Sequence, residues 1–429
     1  MQTMKDLAAA EKTQLDGFSS QVAGLTSDQI GGLTTAQVSG LDTAQVAALT
    51  TTTFGNFTTD QVAALTSGEI QALFDRREGL KSGHLRVEVP PLSGLVIHTA
   101  SGSINCADIG GDLSVEFRLF EVVKGDSPVL TKNYRAGEVN TRNLAHQFAA
   151  EVVKYFTNED SFFGTQIAFS KVSGQTKEIA IMDWDGAGVH TVTGNGSQNI
   201  LPSWHPSGGS LLYTSFVRES PDLWMVAAGG GKPRRISTRS GLNTGGVFAP
   251  DGSKLALTLS FEGNSEIYLL TPGGDIVKRL TNNPGIDSSP TWSPDGSQIA
   301  FVSDRHGSPQ IWKMPAGGGN PVKLTHKGGY NQEPSWSPKP VNGKTVIAFS
   351  GRDEKGTFDI FTVDPATQEL ARLTENRGSN THPTWAPNAR AIAYKSSRGG
   401  IFAATFDGKT ERPVYRGGAE SPSWGPLRK

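Results

Sequence analysis

The chain has 429 residues, of which 36% are hydrophobic and 19% are charged, and its formal net charge is −1. Its 51 glycines and 24 prolines indicate many tight turns, which favours a β-rich fold. The near-neutral charge, without a long basic run, argues against nucleic-acid binding, because that needs clustered Lys and Arg. The single cysteine, Cys106, excludes an intramolecular disulfide framework and a cysteine-built zinc site. No apolar run approaches the roughly 20 residues of a transmembrane helix.

Residues 1–74 contain an eight-residue repeat. From Leu25 it reads LTSDQIGG, LTTAQVSG, LDTAQVAA, LTTTTFGN, FTTDQVAA and LTSGEIQA. Leu, Thr, Gln and Val recur at the spacing of a helix N-cap, its capping box and its hydrophobic staple. The pattern predicts a series of very short helices. They form either a stalk-like spacer or a partly disordered leader, since isolated helices of this length are marginal in water. The N-terminus shows no apolar core of a secretory signal.

Residues 75–163 predict a small, partial α/β domain. The alternation in LSVEFRLFEVV, at 113–123, predicts a half-buried strand that turns into a second strand, VLTKNYR. Asn140 is then expected to begin an amphipathic helix with Leu144 and Val152 on its apolar face.

Residues 164–429 contain a longer repeat, at intervals of 39 to 49 residues. Its aromatic landmarks are Trp204, Phe248, Trp292, Trp336, Trp385 and Trp424. One copy reads PTWSP, QIAFVS, QIWKMP and PVKLT, which predicts four short strands, A to D, of a β-propeller blade. The chain enters the repeat at a strand B and leaves it on a strand A. The sequence therefore predicts a mainly β fold, a six-bladed β-propeller closed by the C-terminal strand.

The residues of the recurring phrase PTWSPDGSQIAFVSDR, at 290–305, predict a structural role and not a catalytic site. Its Pro-Asp-Gly run suits a tight turn between strands A and B. Its Trp is large enough to fill the wedge between neighbouring blades.

No motif in the chain predicts a catalytic, metal or cofactor site. None of the eight histidines falls at HxxxH or HxH spacing, and no GxSxG nucleophile elbow is present. GGGKPRR, at 229–235, and MDWDG, at 182–186, are expected to be strand-to-strand turns rather than phosphate or calcium loops. An alternative stays open, because a propeller can gather residues from several blades onto its axis. In that case the chain is an enzyme or a carbohydrate-binding protein.

The polar residues that begin each strand A suggest a binding surface. Equivalent positions carry Asn199, Asn243, Asp287, Asn331, Asn380 and Glu420. The connections from strand D to strand A converge at one mouth of the channel, so these residues predict a polar bowl for a protein loop or peptide. The alternative is that Asn and Asp merely start turns there.

Over residues 105–429 the chain resembles the TolB family, the periplasmic propellers of the Tol–Pal envelope system. The resemblance lies in GGDLSVEFRLFEVV, NLAHQFAAEVV, FFGTQIAFS and the six blade phrases. It implies a non-enzymatic periplasmic scaffold that docks a Pal-like peptidoglycan-associated lipoprotein and supports outer-membrane integrity and envelope constriction at division. The docking positions it implies are Asn243, Thr244, Asp287, Ser288, Asn331, Gln332, Glu333, Asn380, Thr381 and His382.

The N-terminal part departs from the family pattern. A family member contacts a TolA-like protein through an N-terminal segment, and its first domain opens with a β-α-β half. Residues 75–104 are too short to hold that half, and the octads stand in its place. A third hypothesis follows, in which the octads are the adhesive part and the propeller is a recognition head.

Overall fold

The structure is a computed structural model that describes residues 85–87, 113–120, 128–136, 141–218 and 220–427. The octad repeat lies outside these residues. The chain divides into two compact units, residues 1–148 and residues 149–429. The predicted boundaries at residues 74 and 163 stay predictions. Among the described residues no helix combines the length and the apolarity needed to cross a bilayer.

The first unit contains a three-stranded sheet with the order β1-β2-β3. Its strands are β1 (Leu85–Val87), β2 (Leu113–Phe120) and β3 (Pro128–Ala136). Strand β1 is parallel to β2, and β2 pairs antiparallel with β3. A helix, α1 (Thr141–Thr157), follows, and its Leu144 and Val152 are buried. The predicted hairpin and the amphipathic helix are thus confirmed.

The propeller consists of six four-stranded antiparallel sheets, each a blade with strands A to D from the axis outward. Blade 1 contains β27 (Ala419–Trp424), β4 (Gln166–Ser173), β5 (Thr176–Asp183) and β6 (His190–Thr191). Blade 2 contains β7 (Asn199–Trp204), β8 (Ser210–Ser215), β9 (Asp222–Ala227) and β10 (Arg234–Ser237). Blade 3 contains β11 (Asn243–Phe248), β12 (Leu255–Leu259), β13 (Glu266–Leu270) and β14 (Ile276–Arg279).

The remaining blades follow in the same order along the chain. Blade 4 contains β15 (Asp287–Trp292), β16 (Gln298–Ser303), β17 (Gln310–Pro315) and β18 (Val322–Lys323). Blade 5 contains β19 (Asn331–Trp336), β20 (Ile347–Arg352), β21 (Phe358–Val363) and β22 (Leu370–Arg372). Blade 6 contains β23 (Asn380–Trp385), β24 (Ala391–Ser396), β25 (Ile401–Thr405) and β26 (Glu411–Tyr415).

The C-terminal strand closes the ring, as the sequence predicts. Strand β27 pairs antiparallel with β4, which places Trp424 opposite Ile167. The Trp424 indole NH donates to the Thr165 hydroxyl at 2.8 Å. Closure therefore covers the edge of β4 that a linear array of blades would leave unpaired.

The core lies between blades, which explains the apolar runs of strands B and C. All five residues of β12 and all five of β13 are buried, because both faces of each sheet pack on a neighbour. The Trp near the end of strand A fills the wedge, and in three blades its indole NH donates to a backbone carbonyl in the preceding strand A. These bonds are Trp204 to Ser423 at 3.0 Å, Trp292 to Val247 at 3.3 Å and Trp385 to Ser335 at 2.9 Å. The structural role of the recurring phrase is thus confirmed.

Candidate functional site

The six A strands form the inner ring of the propeller, each in contact with the A strands of both neighbouring blades. They all begin at the same end, where the D-to-A and B-to-C connections lie. We call this end the mouth; the A-to-B and C-to-D turns lie at the opposite end. The predicted docking residues occupy the first three positions of the A strands, so the structure does bring them together around one opening.

The first residue of each A strand is buried rather than exposed at the mouth. Asn199, Asn243, Asp287, Asn331 and Asn380 all have at most 2% of their surface exposed. Their side chains are engaged in hydrogen bonds within the propeller. Asn331, for example, donates through Nδ2 to Gln310 Oε1 at 2.8 Å and to the Lys327 carbonyl at 2.9 Å. These five residues therefore do not form the exposed polar ring that was expected of them.

Three of the four buried Asn at these first positions, namely Asn199, Asn331 and Asn380, each belong to a three-residue network that connects consecutive blades. In blade 4, Gln310 at the start of strand C accepts hydrogen bonds from Thr325, 15 residues on, and from Asn331, 21 residues on. Asp359, Thr374 and Asn380 repeat the arrangement at the same separations. The network satisfies polar groups that burial would otherwise leave unpaired. The fixed spacing was visible in the sequence and is the signal that these residues are structural.

Asp287 is the one carboxylate among the five buried first residues. Burial raises its pKa, an effect opposed by hydrogen bonds from Ser303 and Arg305 and by the Arg305 charge. Arg305 Nη2 lies 2.8 Å from Asp287 Oδ2, and Asn283 Nδ2 lies 2.7 Å from the same oxygen. Asp287 is thus held by the arginine of the blade phrase rather than presented to a partner.

The second residue of the A strands reaches the mouth surface. Thr244, Ser288, Gln332 and Thr381 are all half-buried. In blade 3, the Thr244 hydroxyl lies 3.1 Å from the Thr214 hydroxyl of blade 2. In these four blades the position therefore carries a polar side chain at the mouth, and its role in docking stays a prediction.

The third residue of every A strand has a left-handed backbone conformation. The six φ values are 54° at Leu201, 66° at Gly245, 53° at Ser289, 58° at Glu333, 54° at His382 and 48° at Ser421. The pairing register with strand B shifts across this residue, which is a β-bulge repeated around the ring. Five of the six are not glycine, at a cost of about 1 kcal/mol each. Such conformations persist where packing enforces them and are concentrated at functional sites.

Glu333 and His382 form an ion-pair cluster across blades 5 and 6. His382 Nε2 lies 3.0 Å from Glu333 Oε1, and Ser350 Oγ donates to Glu333 Oε2 at 2.6 Å. Burial alone would raise the pKa of Glu333, but the His382 charge and hydrogen bonds from His382 and Ser350 hold it below its ordinary value. The serine hydroxyl is bonded to the carboxylate and not to the imidazole. His382 is therefore not placed to take the Ser350 proton, as a nucleophilic triad requires.

A second charged group lies where blade 6 meets blade 1. Lys177 Nζ lies 2.7 Å from Glu420 Oε2, and Lys395 Nζ lies 3.9 Å from Glu420 Oε1. Burial would raise the pKa of Glu420, but the hydrogen bond and charge of Lys177, with Lys395 and His382, lower it. Across the described ranges no cluster of three or more His, Cys, Asp or Glu side chains could hold a metal ion.

The residue that immediately precedes each A strand was not among the predicted docking positions. In blades 3, 4 and 5 this residue is Leu242, Ile286 or Tyr330, with 40%, 50% and 38% of its surface exposed. The corresponding residues of the other three blades are Gln198, Ser379 and Gly418. The available signal was an apolar side chain immediately before the Asn or Asp that begins strand A in blades 3, 4 and 5.

This closed ring with its mouth defines the chain as a six-bladed β-propeller protein. A family model described as the TolB beta propeller domain matches residues 153–428. The chain belongs to the TolB β-propeller family, which confirms the resemblance. A second model, described as the ALTTAQ repeat, matches residues 38–74, within the octads.

Curated relatives match over a limited segment. The chain is 38% identical over 130 residues to the protein TolB homolog of Chlorobium chlorochromatii, which is 30% of this chain and 29% of that protein. It is also 38% identical over 117 residues to the Tol-Pal system protein TolB of Desulfosudis oleivorans, 27% of this chain and 26% of that protein. The match thus spans under a third of either relative. The crystal structure of TolB from Acinetobacter baumannii superposes with a TM-score of 0.66 at 27% identity, covering 73% of this chain and 79% of that one.

Proposed function

We propose that this chain is a non-enzymatic periplasmic scaffold of the Tol–Pal system that docks a Pal-like peptidoglycan-associated lipoprotein at the propeller mouth. In this role it supports outer-membrane integrity and envelope constriction at division. Membership of the TolB family and the names of the matched relatives support the proposal. A TolA-like protein is a second partner by resemblance, through a segment outside the described residues.

The observation that carries the proposal is that the first residue of each A strand is buried, whereas the second and third residues lie at the opening. The buried first residues are held by hydrogen bonds within the propeller: Asn199, Asn331 and Asn380 in the three-residue networks, Asn243 with Ser237 and Asp287 with Arg305. The second and third residues, Thr244, Ser288, Gln332, Glu333, Thr381 and His382, lie half-buried around the opening. A rigid rim with polar groups of different kinds suits a protein loop, which gains affinity when little must be ordered on binding.

Calorimetry with a purified Pal-like soluble domain tests the proposal. Ser288→Arg with Gln332→Arg places two bulky cations at the mouth and should weaken binding more than 10-fold. Ala227→Arg with Ala366→Arg is the matched control, because these exposed alanines lie at C-to-D turns of the opposite end. No binding to the unmodified chain, or equal binding to both double variants, would overturn the proposal.

A further inference from the structure

The mouth is asymmetric in its exposed apolar surface. We call Leu242, Ile286 and Tyr330, with Phe216 and Val217, the apolar rim. Phe216 and Val217 begin the B-to-C connection of blade 2 and have 40% and 43% of their surface exposed. The apolar rim thus covers blades 2 to 5, whereas the residues before the A strands of blades 6 and 1 are Ser379 and Gly418.

Backbone hydrogen bonds hold the apolar rim in place, so its exposed side chains project from an ordered backbone. The carbonyl of the residue before strand A accepts a hydrogen bond from a backbone NH at the end of strand B or at the start of the B-to-C connection of its own blade. The bonds are Phe216 N to Gln198 O at 3.0 Å, Ser260 N to Leu242 O at 3.2 Å, Asp304 N to Ile286 O at 3.4 Å and Arg352 N to Tyr330 O at 2.9 Å. Apolar side chains on a rigid frame can be buried by a partner at a small entropic cost.

Two arginines lie beside the apolar rim, at a cavity of about 500 Å³. Arg218 and Arg239 line it together with Ser220, Thr238 and Ser240. Arg239 donates to the Ser237 hydroxyl at 2.8 Å and to the Gly274 carbonyl at 3.1 Å. In the part of the chain that the structure describes, neither arginine has a carboxylate within salt-bridge distance.

Other arginines of this propeller are paired closely with carboxylates. Arg305 is paired with Asp287 at 2.8 Å and Arg398 with Glu411 at 2.6 Å. Among the described residues that line the cavity, the one acid, Asp222, is buried, with 3% of its surface exposed.

From the adjacency of this basic cavity and the apolar rim, we infer that the partner docks off the channel axis, over blades 2 to 5. The inference rests on the proposed function and adds the chemistry of the partner. The docked surface is a protein segment with apolar side chains for Leu242, Ile286 and Tyr330 and a carboxylate for Arg218 and Arg239. In blades 5, 6 and 1, by contrast, Glu333 is paired with His382 and Glu420 with Lys177.

The apolar contribution is tested by substitution of exposed apolar residues in two places. Leu242→Ser, Ile286→Ser and Tyr330→Ser together should weaken binding of the Pal-like domain at least ~10-fold, as loss of a central apolar contact does. The matched control is Ile276→Ser, Val277→Ser and Val322→Ser, which are 40%, 49% and 49% exposed on the outer strands β14 and β18. Equal weakening by both triple variants would overturn the inference, because it would show that binding depends on exposed apolar surface in general and not on the apolar rim.

The charge contribution is tested by reversal. Arg218→Glu should weaken binding and reduce its dependence on ionic strength, since it removes an attraction that salt screens. Lys232→Glu is the control, as Lys232 is exposed on a C-to-D turn at the opposite end. An unchanged salt dependence in Arg218→Glu would contradict a carboxylate at the cavity.

The two proposals fail in different ways. No binding to the unmodified chain would overturn both. If the Ser288→Arg and Gln332→Arg variant loses binding while the triple rim variant binds normally, mouth docking stands and the off-axis inference is wrong. Unchanged melting temperatures of the surface variants would confirm that each one is folded.

Discussion

His382 on β23 and Glu333 on β19 connect two adjacent blades at the mouth, with the imidazole Nε2 3.0 Å from the carboxylate Oε1. The same carboxylate accepts a hydrogen bond from the His382 backbone NH at 2.8 Å. The equivalent third positions in the other blades are Leu201, Gly245, Ser289 and Ser421, which cannot form an ion pair with each other. At the third position of the A strands, an ion pair therefore joins blades 5 and 6 and no other pair of neighbouring blades.

Glu333→Gln should destabilise the fold more at neutral pH than in acid. Because the pKa of Glu333 is lowered on folding, its ionised form contributes stability above the unfolded value, about 4.3. That contribution disappears as pH falls through the lowered pKa. We expect a loss of about 1–2 kcal/mol at pH 7 and a smaller loss at pH 3.5, measured by urea unfolding. The same loss at both pH values would show that the carboxylate charge does not matter.

Asp287→Asn should behave in the opposite way. Burial raises the pKa of Asp287 on folding, so its ionisation disfavours the folded state, and stability is lost as pH rises through the raised pKa. Asn occupies this position in four other blades. The free energy of unfolding of the variant minus that of the unmodified chain should therefore be more positive at pH 7 than at pH 3.5. Urea unfolding of both proteins at both pH values measures this difference. A difference that runs the other way would mean that the Arg305 interaction outweighs burial.

Asn331→Asp is the reciprocal control for that substitution. Its Nδ2 donates to Gln310 Oε1 and to the Lys327 carbonyl, and a carboxylate there would face two acceptors. We expect a loss of about 1–3 kcal/mol at pH 7. A neutral effect would indicate that the site readily rearranges.

The blades and the closure of the ring could be predicted from the sequence, but the exposure of the side chains at the mouth could not. Turn chemistry and strand patterns are local, so PDGS and QIAFVS predict their strands without the rest of the fold. Whether Asn331 is exposed depends on Gln310 and Thr325 in the previous blade, which only the packing of blades brings near. The left-handed conformation of Glu333 and Leu201 also runs against local preference, and neighbouring strands impose it. The residues that recur in each blade are structural, whereas Ile286, Tyr330 and His382 differ between blades.

Gly274→Ala should be far more destabilising than Gly263→Ala. Both glycines have left-handed backbones, with φ of 104° and 108°, so the conformational cost is about 1 kcal/mol in each. A Cβ at Gly274 would lie 1.9 Å from the Ile236 carbonyl of blade 2, whereas nothing lies within 4 Å of a Cβ at Gly263. We expect Gly274→Ala to cost at least about 3 kcal/mol more in urea unfolding. Equal losses would contradict the close approach of blades 2 and 3.

Trp424→Ala should open the ring locally, whereas Trp292→Ala should only lower its stability. The two side chains fill equivalent wedges and are 7% and 9% exposed, so each truncation should cost about 3–5 kcal/mol. Strand β15, which carries Trp292, continues through a tight turn into its own blade. No turn joins strand β27 to β4. It is held in its blade by pairing with β4, by the ion pair of Glu420 with Lys177, by the bond from Trp424 to Thr165 and by packing in the cluster around Ile167 and Phe169.

Hydrogen exchange distinguishes these two outcomes. In Trp424→Ala the amides of β27 and β4 should lose protection before those of blades 3 and 4, because detachment of one strand exposes them without global unfolding. In Trp292→Ala protection should fall across the propeller together. The urea m-value should decrease for Trp424→Ala alone, since a detached strand leaves less surface to expose on unfolding. Uniform exchange in both variants would mean that the closing strand is as firmly held as a strand within the chain.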